Sequence, residues 1–160
     1  MCGLAGYFAY GRDAPPADPS ALERVADAMS SRGPDGAGAW QSADSRIAFA
    51  HRRLAIIDLS ASGAQPMASA DGRYVVVHNG EIYNFRDLRR ELEAEGRVFV
   101  SQSDTEVLLH LYDRDGEDMV ERLRGMYGFA IWDGERRGLF LARDPYGIKP
   151  MYYADDGRSV

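Results

Sequence analysis

Short apolar runs alternate along the chain with stretches in which apolar residues recur every three or four positions, a mixed strand and helix pattern. Residues 4–10 are apolar and aromatic with small residues between, which predicts a buried strand starting almost at the first residue. Asp18-Pro19 supplies an N-cap followed by proline at the first helical position, and Leu22, Val25, Ala26 and Met29 keep helical spacing until Arg32-Gly33-Pro34. Residues 47–50, 54–57 and 74–77 read as strands. Asn84 is the cap of a second helix carrying Leu88 and Leu92, with Gly96 as its stop. Residues 98–100 read as a short strand. A capping box from Ser103 to Glu106 then opens a third helix, with Val107, Leu108 and Leu111 on one face and an end near Gly116. A short fourth helix follows at residues 119–123. Residues 127–132 and 139–142 form a hairpin around Asp133-Gly134. Residues 151–154 predict one more strand, leading into a turn at Asp155-Asp156-Gly157. Three residues are too few for its return strand, so the reading is one mixed α and β domain, residues 1–160, truncated at its C-terminal side and exposing a sheet edge.

Composition narrows the class of protein. At 160 residues the chain is long enough for one domain with a real core, and 45% hydrophobic with 28% charged residues is an ordinary globular balance. No apolar run approaches the ~18 residues of a membrane span. A formal net charge of −6 gives no electrostatic reason to expect nucleic acid. The single cysteine forms no internal disulfide, and Met1-Cys2 lacks the basic and apolar regions of a secretory signal, so the expected compartment is the cytoplasm.

Each candidate for chemistry also has a structural reading. A lone cysteine is usually a small buried hydrophobe. Position changes that for Cys2, because removal of Met1 would leave a thiol and a free α-amine on one residue. An α-amine titrates at ~7.7–8.0 and can act as the base a nucleophile otherwise borrows from histidine. Asn79-Gly80 is either a two-residue hairpin turn or a pair of neutral donors for an oxyanion. Asp104 sits in the capping box and also offers a carboxylate to a cationic group. Arg52 and Arg53 are adjacent, so on a strand they face opposite ways and only one can enter a given pocket. His51, His78 and His110 lack metal-ligand spacing and read as satisfied structural histidines, and no metal site is expected. Gly36-Ala37-Gly38 lacks the third glycine of a dinucleotide fingerprint, and there is no P-loop, which leaves ATP without an obvious site.

Taken together, the motifs resemble the N-terminal glutaminase domain of the glutamine-hydrolysing asparagine synthetases, within the class II glutamine amidotransferases. The resemblance runs through Met1-Cys2-Gly3-Leu4-Ala5-Gly6, Arg32-Gly33-Pro34-Asp35, His51-Arg52-Arg53-Leu54-Ala55-Ile56-Ile57-Asp58 and Gly63-Ala64-Gln65-Pro66. It continues through Asn79-Gly80-Glu81-Ile82-Tyr83-Asn84, Ser103-Asp104-Thr105-Glu106, Gly125-Met126-Tyr127-Gly128-Phe129-Ala130 and Arg143-Asp144-Pro145-Tyr146-Gly147-Ile148-Lys149-Pro150. It implies an α+β N-terminal nucleophile (Ntn) hydrolase fold, a four-layer αββα sandwich of antiparallel sheets, incomplete at the C-terminus. It also implies roles for particular residues. Cys2 would be the nucleophile, and Asn79 with Gly80 the oxyanion hole. Arg53 would bind the glutamine α-carboxylate, Ile56 and Ile57 would line the site through their backbone, and Glu81 and Asp104 would hold the α-ammonium. The implied reaction is hydrolysis of the glutamine side-chain amide through a thioester, releasing glutamate and ammonia. No cofactor is expected in this domain; ATP and Mg belong to a synthetase domain absent from these residues. The implied partners are glutamine and that C-terminal synthetase domain or a separate acceptor subunit, and a homodimer is compatible. Two alternatives stay open: a different ammonia acceptor (a peptide, antibiotic or sugar precursor), or a non-catalytic binding domain of the same fold.

Overall fold

The computed structural model describes residues 2–160. Three antiparallel strands form one sheet in the order β1 (Gly3–Phe8), β3 (Ile47–Arg53), β2 (Gly36–Gln41). A second antiparallel sheet has the order β4 (Met67–Ala68), β5 (Tyr74–Ile82), β6 (Gly125–Asp133), β7 (Gly138–Arg143). Helix α1 (Pro19–Ala28) packs on β3 and β1, α3 (Asp104–Asp115) packs on β5, and α2 (Phe85–Ala94) packs on α3. The layers therefore run helix, sheet, sheet, helices, which is the αββα arrangement expected.

Alternation along β5 lets one strand serve two cores. Val75 and Val77 face the other sheet with Ile47, Phe49, Ala130 and Trp132, whereas Val76 and Ile82 face the helices with Leu92, Leu108, Leu111 and Phe129. A fully buried side chain of this size contributes roughly 1.5–3 kcal/mol relative to exposure, so packing rather than helix propensity holds α3 on the sheet. The helix ends follow local chemistry. Asp18 accepts from the Ser20 N–H at 2.9 Å at the start of α1. After α2 the Arg97 N–H returns to the Leu92 carbonyl at 3.0 Å, which requires the positive φ of +90° at Gly96.

Several expected elements differ. Residues 54–57 are a loop, because pairing of β3 ends where Arg53 meets Gly36. Residues 98–100 are not a strand. Val98 and Val100 are 78% and 77% exposed, and the Val100 N–H is taken by Glu106 Oε1 at 2.8 Å. Asn84 does stand at the N-cap of α2, but its side chain makes no cap bond; it donates to the Arg122 carbonyl and accepts from the Arg124 N–H, both at 2.9 Å. The expected hairpin between β6 and β7 is present, with pairing out to Asp133 and Gly138 and a loop of residues 134–137. Residues 151–154 carry no strand pairing. The turn after them instead brings residues 158–160 onto the end of β1, where Phe8 and Val160 exchange N–H···O bonds of 2.7 and 2.9 Å. The expected unfinished hairpin is therefore not there: the return leg has a different partner.

Candidate functional site

Cys2 immediately precedes β1, whose first residue Gly3 pairs with Arg52 near the end of β3. That register carries the thiol to the point where β3 becomes a loop. The Leu54 N–H donates to Cys2 Sγ at 3.4 Å, and the Leu54 carbonyl lies 3.7 Å from the same sulfur. Arg32 Nε donates to the Cys2 carbonyl at 3.2 Å. Asp35 Oδ2 accepts from the Ala55 N–H at 2.9 Å, so both ends of the Arg-Gly-Pro-Asp motif fix backbone around the sulfur.

The half-buried Cys2 borders a cavity that Arg53, Asn79, Gly80, Glu81 and Asp104 also line. Ile56 and Ile57 belong to the same wall, on the loop that follows β3. Every residue singled out by the resemblance thus meets at one place. Strand alternation divides the two arginines. Arg52 turns outward, donating to the Ala26 carbonyl at 2.8 Å and pairing with Asp27 of α1. Arg53 turns to the cavity and donates to the carbonyls of Ser60, at 2.8 Å, and Asp58.

Asn79-Gly80 is no turn. Both residues lie within β5, paired with Gly128 and Tyr127 of β6. A Cβ on residue 80 would stand 2.1 Å from the Met126 carbonyl oxygen, so glycine is what lets β6 approach at this register. Asp104 opens α3 at 5% exposure, and its Oδ2 accepts from the Ile82 N–H at 2.9 Å. Burial pushes its carboxyl up, and the Ile82 N–H pulls it part of the way back. Ser103 caps α3 through the Thr105 N–H at 3.1 Å, but Glu106 does not close a capping box. It reaches further back, accepting from the N–H and hydroxyl of Ser101 at 2.7 and 2.6 Å.

The buried histidines are less satisfied than expected. His51 Nε2 meets the His78 carbonyl at 3.2 Å and His78 Nδ1 meets Thr105 Oγ1 at 3.2 Å, while His51 Nδ1 and His78 Nε2 have no partner among the described residues. Burial pushes His51 down to about 4 and His78 to about 3, so both are neutral in the folded chain below the pH at which they would protonate unfolded. The unfolded chain then binds more protons, and stability falls as pH drops from about 6.5. With two such groups the slope approaches about 2.7 kcal/mol per pH unit. Urea unfolding at pH 6.5, 6.0, 5.5 and 5.0 should register that loss, and His51→Gln should roughly halve its slope; a flat profile would contradict the burial argument.

Sequence reasoning passed over Gln65, Thr105, Met126 and Lys149, which also border the cavity. Gln65 Oε1 accepts from the His78 N–H at 2.6 Å and its Nε2 donates to Thr105 Oγ1 at 3.2 Å, continuing the β5 ladder where β4 has ended. Lys149 is 2% exposed. It arrives there because Asp144 accepts from the N–H groups of Ile148 and Lys149, each at 2.9 Å, which folds this loop back against β6. The available signal was its being the sole lysine of the chain, inside the Arg-Asp-Pro-Tyr-Gly-Ile-Lys-Pro motif. A second cavity, largely apolar, borders Cys2 and Asn79 from between the sheets, with Leu4, Phe49, Val77 and Leu141 in its wall.

Comparison with known proteins shows the family and the fold. The glutamine amidotransferase domain model matches residues 1–160. Asparagine synthetase [glutamine-hydrolyzing] 3 of Bacillus subtilis is 42% identical over 161 residues, covering 99% of this chain and 26% of that protein. Asparagine synthetase [glutamine-hydrolyzing] 1 of the same organism is 45% identical over 154 residues, covering 96% and 24%. Amidase chry2 of Gibberella zeae is 42% identical over 132 residues, covering 82% and 20%. The chain thus spans about a quarter, or less, of the length of these relatives. The glutamine phosphoribosylpyrophosphate amidotransferase structure from Bacillus subtilis superposes with a TM-score of 0.80 at 22% identity, over 99% of this chain and 40% of that one, which identifies the fold as the Ntn type. With one family model matching from end to end and the cysteine, the Asn-Gly pair and the arginine gathered at a single cavity, the chain belongs to the glutamine amidotransferase domain family.

Proposed function

We propose that this chain hydrolyses the side-chain amide of glutamine with Cys2 as nucleophile, and that the ammonia released serves an ATP-dependent synthesis of asparagine from aspartate in a synthetase unit outside these residues. The observation that carries the reading is the meeting of Cys2, Arg53, Asn79, Gly80 and Asp104 at one cavity. In this reading Met1 is removed, and the Cys2 α-amine takes the thiol proton as the sulfur attacks the amide carbon. Asn79 and Gly80 donate to the oxyanion that forms. Collapse expels ammonia, which takes the proton back from the amine, and leaves a γ-glutamyl thioester. Water, deprotonated by the same amine, then releases glutamate and the thiol. Arg53 and Asp104, with Glu81, engage the α-carboxylate and α-ammonium, leaving the amide end toward the sulfur. ATP and Mg have no part in these steps. Aspartate as acceptor follows from the names of the asparagine synthetase relatives, and a cytoplasmic location goes with that role.

The test is the purified chain incubated with glutamine, with glutamate and ammonia both measured, together with a glutamine analogue bearing an electrophilic carbon in place of the amide. Equal release of the two products and a single adduct on Cys2 are expected; binding of glutamine with neither product nor adduct would make this a binding domain. A charge-assisted contact to a substrate is worth about 1.5–3 kcal/mol. Arg53→Ala should therefore raise the glutamine KM by roughly 10- to 100-fold, whereas Arg52→Ala, whose side chain is held on α1, should leave KM within about twofold. Steady-state kinetics on both variants checks this, and the reverse order would show the wrong arginine had been assigned.

A further inference from the structure

Asp58 ends the Arg-Leu-x-Ile-Ile-Asp motif and takes no part in the chemistry above, yet it is only 7% exposed, borders the same cavity, and bridges the loop after β3 to the segment before α3. Its Oδ1 accepts from the Ser60 N–H at 2.8 Å and the Ser60 hydroxyl at 2.6 Å. Its Oδ2 accepts from the Gln102 N–H at 2.8 Å and the Ser62 hydroxyl at 3.4 Å. One oxygen therefore shapes the loop after β3, and the other reaches the segment that runs into Ser103 and Asp104. The carbonyls of Asp58 and Ser60 in turn hold the Arg53 guanidinium. Close packing leaves this junction little slack: a Cβ on Gly63 would lie 2.5 Å from Arg53 Nη2 and 3.0 Å from Asp58 Cβ. The Ser60 hydroxyl, followed by the Gln102 N–H, keeps the Asp58 carboxyl below the ordinary aspartate value.

A free amino acid presents its carboxylate and ammonium on one carbon, so a site that reads both must fix the separation between its cation and its anion. We propose that Asp58 is a positioning residue that sets this separation, tying the loop that holds the Arg53 guanidinium to the segment that leads into Asp104, with both of its own oxygens engaged by protein groups rather than by the substrate. The proposal rests on the glutaminase reading of the cavity. Asparagine cannot replace it cleanly, because its amide has one accepting oxygen and must turn an NH₂ toward either the Ser60 or the Gln102 N–H.

The experiment compares wild type, D58N, D58A, R53A and the R53A/D58A pair by kcat and KM for glutamine, with a thermal midpoint for each. D58N and D58A should raise KM by about tenfold while kcat stays within about threefold, and the double variant should fall only slightly below R53A in kcat/KM, since little remains to be positioned. Glutaramate, which lacks the α-ammonium, and 4-aminobutanamide, which lacks the α-carboxylate, supply a readout that a merely structural role would not move. The preference of the wild type for glutamine over both should narrow in D58N. An unchanged KM, a loss confined to kcat, fully multiplicative effects with R53A, or failure of both Asp58 variants to fold would overturn the proposal. If wild type releases no glutamate, the glutaminase reading fails on its own. Calorimetric binding of glutamine then decides the role of Asp58, with about tenfold weaker binding to D58N supporting it and equal binding or none overturning it.

Discussion

Cys2→Ala should abolish glutamate release, by a factor of at least about 10⁴, while leaving the thermal midpoint close to that of wild type. The size of the loss follows from the proposed mechanism: without the atom that would form the thioester, the oxyanion donors could assist only direct attack by water, which is far slower. The intact fold follows from where Cys2 sits. Among the described residues its sulfur makes only the long hydrogen bonds of 3.4 and 3.7 Å to Leu54, and its carbonyl, which Arg32 holds at 3.2 Å, is untouched by the substitution. A stopped assay for glutamate together with calorimetric unfolding of both proteins checks the two halves of this expectation. Undiminished turnover in the alanine variant would remove Cys2 from the mechanism altogether.

Asn79→Ala is expected to lower kcat by about 10²–10³, or about 2.7–4 kcal/mol of transition-state stabilisation, with a much smaller change in glutamine affinity. The asymmetry is expected because an oxyanion donor matters most when charge develops on the substrate oxygen, whereas in the proposed reading the ground state is anchored through the substrate α-groups by Arg53, Glu81 and Asp104. Position 79 lies inside β5 opposite Gly128 and is 7% exposed, so the residue is held by the ladder rather than by its own side chain, and alanine can keep that backbone. Single-turnover rates and glutamine binding measured on the same preparation separate the two effects. A kcat within a factor of about three of wild type, far short of the range for a lost oxyanion donor, would leave Asn79 a strand residue and nothing more.

The cavity was legible before the fold was, because motif residues carry chemical type and order, and both survive without knowing the strand boundaries. Strand parity was enough to put Arg52 and Arg53 on opposite faces, and the resemblance, not the parity, picked out Arg53. What failed has physical causes. Strand β2 went unseen because Gly36-Ala37-Gly38-Ala39 is too small to give a hydrophobic signal, although its backbone pairs fully with β3. Residues 98–100 had the opposite fault: apolar and β-branched, they look like a strand, but the Val100 N–H goes to the Glu106 carboxylate rather than to a ladder and both valines lie exposed. Asn79-Gly80 supported two readings because a preferred turn dipeptide is also compatible with a strand interior when a neighbouring strand fills the missing Cβ space. The network from Asp58 to Gln102 joins residues 44 apart in sequence, and no local pattern announces a contact of that range.

The opposed directions of Arg52 and Arg53 also limit how this domain can change in length. Because β3 has a repeat of two, inserting or deleting one residue between Ile47 and the arginines would exchange the faces of everything after the change. The guanidinium bound to α1 would swing to the cavity, and the one at the cavity would swing to α1. Two-residue changes would preserve the facing but shift the pairing of Gly3 with Arg52, moving the cysteine by two positions along the ladder. Evolution in this strand should therefore proceed by substitution at fixed length, with insertions and deletions diverted to loops such as residues 42–46 and 69–73, where neither the parity nor the pairing is at stake.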